Sequence, residues 1–347
     1  MMKNTNDSEM GRRSFLKLSG LLGLSAAASL ALPAEKAEAL LFGPKEYKVS
    51  STRLAMGSFL SITAIHSSKD EAENAIGLAW AEIDRLSKLL SRHDSATPVS
   101  ELNRSGRLRQ APPELIEVVA RSLYHHRRSA GAFDITVTPL IDLFKERFAA
   151  GQTPSEAEIS ALLPMVGMGQ LKLNAGEISL DRAGMGITID GIAPGYIVDR
   201  VSSLLIARGV SNHLINCSGD IRTSGAAAKG KPWTVAIQDP AGNKAYPAVL
   251  RMTNGAISTS GSYEIFYDKE RMFHHIVNPA SGHSPRQTVS VTARAHTVMD
   301  ADALATGIMV MPPAKGLSLA DSQTGSACLI VTAAGVVKKS ANWNRLA

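Results

Sequence analysis

An α+β fold is predicted by three features of this 347-residue sequence. Strands and helices mix along it without a regular βαβ rhythm, and from Leu171 onward most strands come in pairs. The composition, 44% hydrophobic and 20% charged, is that of an ordinary globular chain. Its length suffices for one large domain or two closely packed lobes.

The first segment is different in kind. Gly11-Arg12-Arg13-Ser14-Phe15-Leu16-Lys17 is a twin-arginine pattern, Leu18 to Leu32 is mildly apolar, and Ala37-Glu38-Ala39 is a small-x-small cleavage signal before Leu40. Residues 1–39 read as a signal peptide and 40–347 as the mature domain of a soluble periplasmic protein. The apolar run falls short of the ~20 residues that span a bilayer, so no membrane anchor is expected. The mature chain carries a net charge of about +5. The basic runs Arg104 to Arg109 and His125 to Arg128 lack interleaved aromatics, which argues against nucleic acid. Cys217 and Cys328 sit in apolar, strand-like runs and are expected as buried free thiols, although an oxidising compartment would let them pair.

Tyr47 to Ala55 and Ser58 to Ile65 read as two strands around Met56-Gly57-Ser58. Ser68 with Glu71 three residues on is a capping box, opening a helix to Leu90 with Ile76, Ala79, Ile83, Leu86 and Leu90 on its core face. Ser91 to Gly106 is polar and loop-like; a helix follows from Pro113 to Gly131, then a short extended piece, Phe133 to Val137, and a helix from Pro139. Ile187 to Ile189 reads as a strand, Asp190 to Pro194 as a turn, and the next helix carries Ile197, Val201, Leu204 and Leu205 on one stripe before stopping at Gly209. Pro194 suits a first helical turn, and Gly195 would let a ligand come close. Such a helix start, with a partial charge of roughly +0.5, favours a phosphate. A strand ending at the turn Ser218-Gly219-Asp220 follows, and a last helix spans Asp300 to Met311.

Several motifs fail in context. Gly225 to Lys231 spells most of a P-loop, but Pro232 stands where a hydroxyl is required and a strand follows where a helix should. No G-x-S-x-G occurs, and no His and Cys spacing suits structural zinc. His274 and His275 are adjacent in an expected strand, so only one of them can face a pocket. Asp302 and Thr306, four apart on a helix, share a face, and carboxylate plus hydroxyl suits Mg²⁺ with phosphate oxygens completing its shell.

Met56-Gly57-Ser58, Gly131 to Thr136, Asp190 to Gly195, Asn216 to Ile221, Ile257 to Gly261, His275 to Pro279 and Ala301 to Thr306 form an ordered set that resembles the ApbE-like family of FAD:protein FMN transferases over nearly the whole mature chain. The resemblance implies that family's α+β fold and, by position, flavin contacts at Met56, His93, Ala132, Phe133, Asp134 and His275. It places Thr188, Asp190 and Pro194 at the phosphate side and the metal on the Gly191 carbonyl with Asp302 and Thr306. Three positions depart from the pattern: Pro194 where many members have lysine, Thr188 where an acid is usual, and Ser218 for the first glycine of Gly-Gly-Asp. Asp190, two residues beyond Thr188, would point to the same side of a strand. The implied activity moves FMN from FAD onto a Thr or Ser hydroxyl of a partner, a membrane or exported redox protein, with Mg²⁺ as cofactor, AMP leaving and His275 as candidate general base. An FAD pyrophosphatase and a periplasmic flavin-binding protein are the alternatives.

Overall fold

The computed structural model describes residues 38–43, 46–242, 246–263, 266–268 and 272–345. The twin-arginine run and the apolar stretch behind it lie outside the described residues. β1 (Glu38–Gly43) begins within the expected cleavage signal and pairs with β2 (Glu46–Ala55), which turns at Met56-Gly57 into β3 (Ser58–His66). α1 (Lys69–Leu90) is capped by Ser68, whose hydroxyl accepts the Glu71 N–H. Only that half of the expected capping box forms. The Ser68 N–H donates to His66 Nδ1 (3.1 Å), and the Glu71 carboxylate stands 3.6 Å from the same nitrogen. α1 buries Ala72, Ile76, Ala79, Ile83, Leu86 and Leu90 on one stripe, as its periodicity requires.

The expected loop after α1 contains a helix, α2 (Pro98–Ser105): Thr97 accepts the Ser100 N–H, Pro98 fills the first turn, and Gly106 closes it at φ 71°. β4 (Arg107–Leu108), α3 (Pro113–Arg128), α4 (Thr138–Ala149) and α5 (Glu156–Leu162) follow. β5 (Leu171–Asn174) and β6 (Glu177–Leu180) form a three-stranded sheet with β4, in the order β4-β6-β5. Phe133 to Val137 is not a strand. Asp134 turns the chain back by accepting the Thr136 N–H (2.7 Å) and fixes it to the next loop by accepting the Met168 N–H (3.0 Å).

α6 (Ala193–Ala207), β7 (Asn212–Cys217), β8 (Asp220–Ser224), β9 (Trp233–Ala236), β10 (Val249–Met252), β11 (Gly255–Gly261), β12 (Thr288–Ala295), α7 (Val298–Met309), α8 (Pro313–Asp321), β13 (Ala327–Thr332) and β14 (Val337–Lys339) complete the described chain. Nine strands make one antiparallel sheet, β1-β2-β3-β7-β8-β11-β12-β13-β14. Alternation along β13 shows its two faces. Cys328 and Ile330 join Leu304, Ile308 and Met309 of α7, whereas Ala327, Leu329 and Val331 join Trp233, Val235 and Leu250 of the β9–β10 ribbon. Helices α1, α6, α7 and α8 cover the first face. Cys217 and Cys328 are both buried, and neither is in a disulfide. Among the described residues, no helix is long and apolar enough to cross a membrane.

Candidate active site

The segment from Gly186 to Ile192, expected to start with a strand, is irregular. Its hydrogen bonds are met by a side chain instead of a neighbouring strand: Asn103 donates from Nδ2 to the Ile187 carbonyl (2.9 Å) and accepts the Ile187 N–H (2.7 Å). Thr188 donates its N–H to the Ile135 carbonyl (2.7 Å), tying this segment to the loop of Phe133. Without a pleat, Thr188 and Asp190 do not share a strand face as expected. Thr188 is buried, while the Asp190 side chain is 62% exposed.

α6 then starts hard against α7. A Cβ on Gly195 would stand 2.6 Å from the Val298 carbonyl oxygen, so glycine is required there by helix packing and not by a ligand. The Gly195 N–H points at Asp302 Oδ2 (3.3 Å), and Asp302 is only 5% exposed. One turn along α7, a Cβ on Gly191 would lie 2.8 Å from Thr306 Oγ1, and one on Gly307 would lie 3.2 Å from Phe133 Cβ. Gly191, Phe133, Asp302 and Thr306 are thus gathered at one corner by backbone packing. Ser260 of β11 joins it, 3.3 Å from Thr306 Oγ1. Its signal was its place, two residues from buried Ser258 in a hydroxyl-rich strand.

This corner fits Mg²⁺. The carboxylate of Asp302, the Thr306 hydroxyl and the nearby Gly191 backbone are hard oxygen donors. Among the described residues there is no cluster of three or more His, Cys, Asp or Glu side chains. One carboxylate among oxygen donors suits an ion that keeps most of its positions for phosphate and water. Asp300, two residues earlier, has a different task. Burial opposes its ionisation, but hydrogen bonds from His125 and Arg121 outweigh that and hold its carboxyl well below the ordinary carboxylate range.

A cleft of about 470 Å³ adjoins the corner through Gly186 and Asn103; its walls include Arg92, His93, Ser100, Thr138 and Asp142. His93 is exposed on this wall. Met56 is at the tip of the β2–β3 hairpin with φ 52°, where Ser58 hydrogen-bonds Ser218 across to the β7–β8 turn. Asp134 is 9% exposed, and its carboxylate is committed to the Thr136 and Met168 N–H groups; Ala132 packs beside α7. His274 and His275 do not lie in a strand, since His274 makes only an isolated bridge with Phe266. The His274 ring is buried, its Nε2 donating to the Pro285 carbonyl and its Nδ1 accepting the Ile276 N–H, and burial pushes its pKa down to about 4. His275 is the more exposed of the two, next to Ile276, which packs on α7. Pro194 is half-buried in the first turn of α6.

The described chain is an α+β domain with antiparallel sheets and a corner of hard oxygen donors where the start of α6 meets α7. The ApbE family model matches residues 56–330, and the chain belongs to that family. It is 30% identical over 265 residues to an FAD:protein FMN transferase of Escherichia coli K12, covering 73% of this chain and 75% of the relative. It is 29% identical over 287 residues to one of Klebsiella pneumoniae, covering 80% and 82%. Among solved structures, the apo form of Pseudomonas stutzeri flavinyl transferase ApbE superposes with a TM-score of 0.74 at 27% identity, covering 91% of this chain and 99% of that one. The ApbE protein of Thermotoga maritima shares the fold with a TM-score of 0.78 at 24% identity, covering 86% and 99%.

Proposed function

We propose that this chain is an exported, Mg²⁺-dependent FAD:protein FMN transferase. The observation that carries the reading is the corner at which Gly191, Asp302 and Thr306 meet in a chain of the ApbE family. A Thr or Ser hydroxyl oxygen of the acceptor attacks the FMN-side phosphorus of FAD. The new P–O bond forms as the bond to the bridging oxygen breaks, AMP leaves with that oxygen, and the hydroxyl proton passes to a base. When bound, Mg²⁺ would be held by Asp302, Thr306 and the Gly191 carbonyl, where it would neutralise pyrophosphate charge.

The protein's own contribution is placement. Asn103 fixes the segment that carries Gly191, and His275, next to Ile276, is the candidate base. The start of α6 does not cradle an anion with its backbone as expected: the Ala193 N–H goes to the Ile189 carbonyl, Pro194 has none, and the Gly195 N–H points at Asp302. The acceptor is a membrane or exported redox protein, met after export through the twin-arginine route. Replacing Arg12 and Arg13 together with lysine should hold the protein in the cytoplasm; unchanged periplasmic yield would remove the export reading.

The activity itself is tested by incubating the protein with FAD, Mg²⁺ and a library of Thr- and Ser-containing peptides, followed by mass spectrometry. A peptide carrying FMN, with one AMP released per label, is the expected result. Free FMN and AMP with no labelled peptide would make the chain a pyrophosphatase, and intact FAD would make it a flavin-binding protein.

A further inference from the structure

Arg92 is a cation without a full set of partners. Its side chain is only 6% exposed, on the wall of the cleft, yet Nε and Nη2 are buried with no hydrogen-bond partner. Nη1 donates to Asp142 Oδ1 (3.0 Å), and Nε stands 3.6 Å from Asp190 Oδ2, too far for a hydrogen bond. Thr138 Oγ1, on the same wall, is also buried and unpartnered. Leaving two guanidinium donors dry is costly unless a ligand meets them, because a buried polar group without a partner keeps its full desolvation penalty, larger still when it is charged.

The surroundings say what kind of ligand. Arg104, His93 and Ser95 bring cationic or hydrogen-bond-donating groups to this cleft, while the Ser100 hydroxyl is spent on the Arg92 carbonyl and Asn103 on Ile187; Asp142 is the one carboxylate among the described lining residues. Asp190, 3.6 Å from Arg92 Nε, opens the turn that leads into the start of α6. An Arg fork with two free N–H groups at that place matches two phosphate oxygens.

We propose that Arg92 is the phosphate-binding cation of this chain, gripping the FAD pyrophosphate from the cleft side and supplying the charge that Pro194 cannot. The assignment rests on the FAD reading above. Binding of FAD displaces the loose Asp190 contact and fills the Nε and Nη2 donors. Asp142 competes with the ligand for the same guanidinium, so it tunes affinity in the opposite direction.

Direct binding measurements separate this role from a structural one. FAD, riboflavin and inorganic pyrophosphate are titrated into the wild-type protein and into Arg92→Gln, Arg92→Lys and Asp142→Asn. Arg92→Gln should weaken FAD and pyrophosphate by about 10-fold to 100-fold while leaving riboflavin, which has no phosphate, unchanged. Arg92→Lys should recover part of the loss, and Asp142→Asn should tighten FAD, which no loss of packing would do. Equal losses for FAD and riboflavin, or unchanged FAD affinity in Arg92→Gln, would overturn the assignment. FAD binding that ignores Arg92 leaves the proposed function standing. Arg92-dependent pyrophosphate binding without FAD binding keeps the anion site and removes the flavin reading. Riboflavin affinity also reports whether a variant has folded, and Asp142→Asn carries the test if both Arg92 variants fail to.

Discussion

The corner at Asp302 and the cleft at Arg92 lie side by side and are built in opposite ways. At the corner, position is set by backbone contact. Gly195 touches the Val298 carbonyl, Gly191 sits over Thr306, and Gly307 leaves room for Phe133. In the cleft, position is set by charge: Arg92 lies between Asp142 and Asp190 with donors to spare. Close packing fixes oxygen donors within the tolerance that metal and in-line chemistry demand, while a charged cleft holds a ligand over a wider range of poses. Changes at the corner should therefore alter turnover, and changes in the cleft should alter affinity.

The largest effect is expected from Asp302→Asn, which keeps an oxygen for the Gly195 N–H but removes the charge. Peptide labelling at saturating FAD should fall by about 100-fold or more, with Mg²⁺ dependence shifted to higher concentration. Equal turnover in wild type and variant at all Mg²⁺ concentrations would break the comparison. Next come the two glycines. Gly191→Ala pushes on a side chain, Thr306, that can turn away, so metal affinity should drop while the melting temperature holds. Gly195→Ala pushes on backbone and should cost about 1–3 kcal/mol of stability in denaturant titration. If the two variants behaved alike, the corner would not have the packing described.

The effect that bears least on turnover or affinity is a pH dependence of stability. His213 is buried, with Nδ1 donating to the Val210 carbonyl and Nε2 accepting from Ser202, and burial pushes its pKa from 6.5 down to about 4. Below pH 6.5 the unfolded chain takes up a proton that the folded ring refuses. This contribution is thus complete above pH 6.5 and lost as pH falls towards 4, on the order of 3 kcal/mol at most. Asp199, pushed up to about 6 by burial, acts with the opposite sign: its contribution is complete below its unfolded pKa and lost as pH rises through 6. His213→Gln should flatten the wild-type loss between pH 6.5 and 4, read from denaturation midpoints. An unchanged slope would mean that His213 is not held neutral.

What was legible in the sequence follows the same division. α1, α6 and the hairpin β2–β3 carry periodic apolar positions with caps or turn residues at their ends and were read close to their observed bounds, as was the end of β7 at its turn. Asp302 and Thr306 share a helical face for the same local reason. The site-bearing segments were misread because their order comes from far away. Asn103 pairs with Ile187 across 84 residues, and Asp134 holds Met168 across 34. α2 did leave a local trace, a Thr97-Pro98 start, inside a stretch whose polarity suggested a loop. Arg92 left none, because only its burial and its missing partners distinguish it from any basic residue in a polar run.

The claim that the chemistry sits at the packed corner is tested most directly by diffraction from crystals grown with FAD and Mn²⁺ in place of Mg²⁺. An anomalous peak bounded by the Asp302 carboxylate, Thr306 Oγ1 and the Gly191 carbonyl, and lost in Asp302→Asn, is the expected result. A peak elsewhere, or one that survives that substitution, would contradict it.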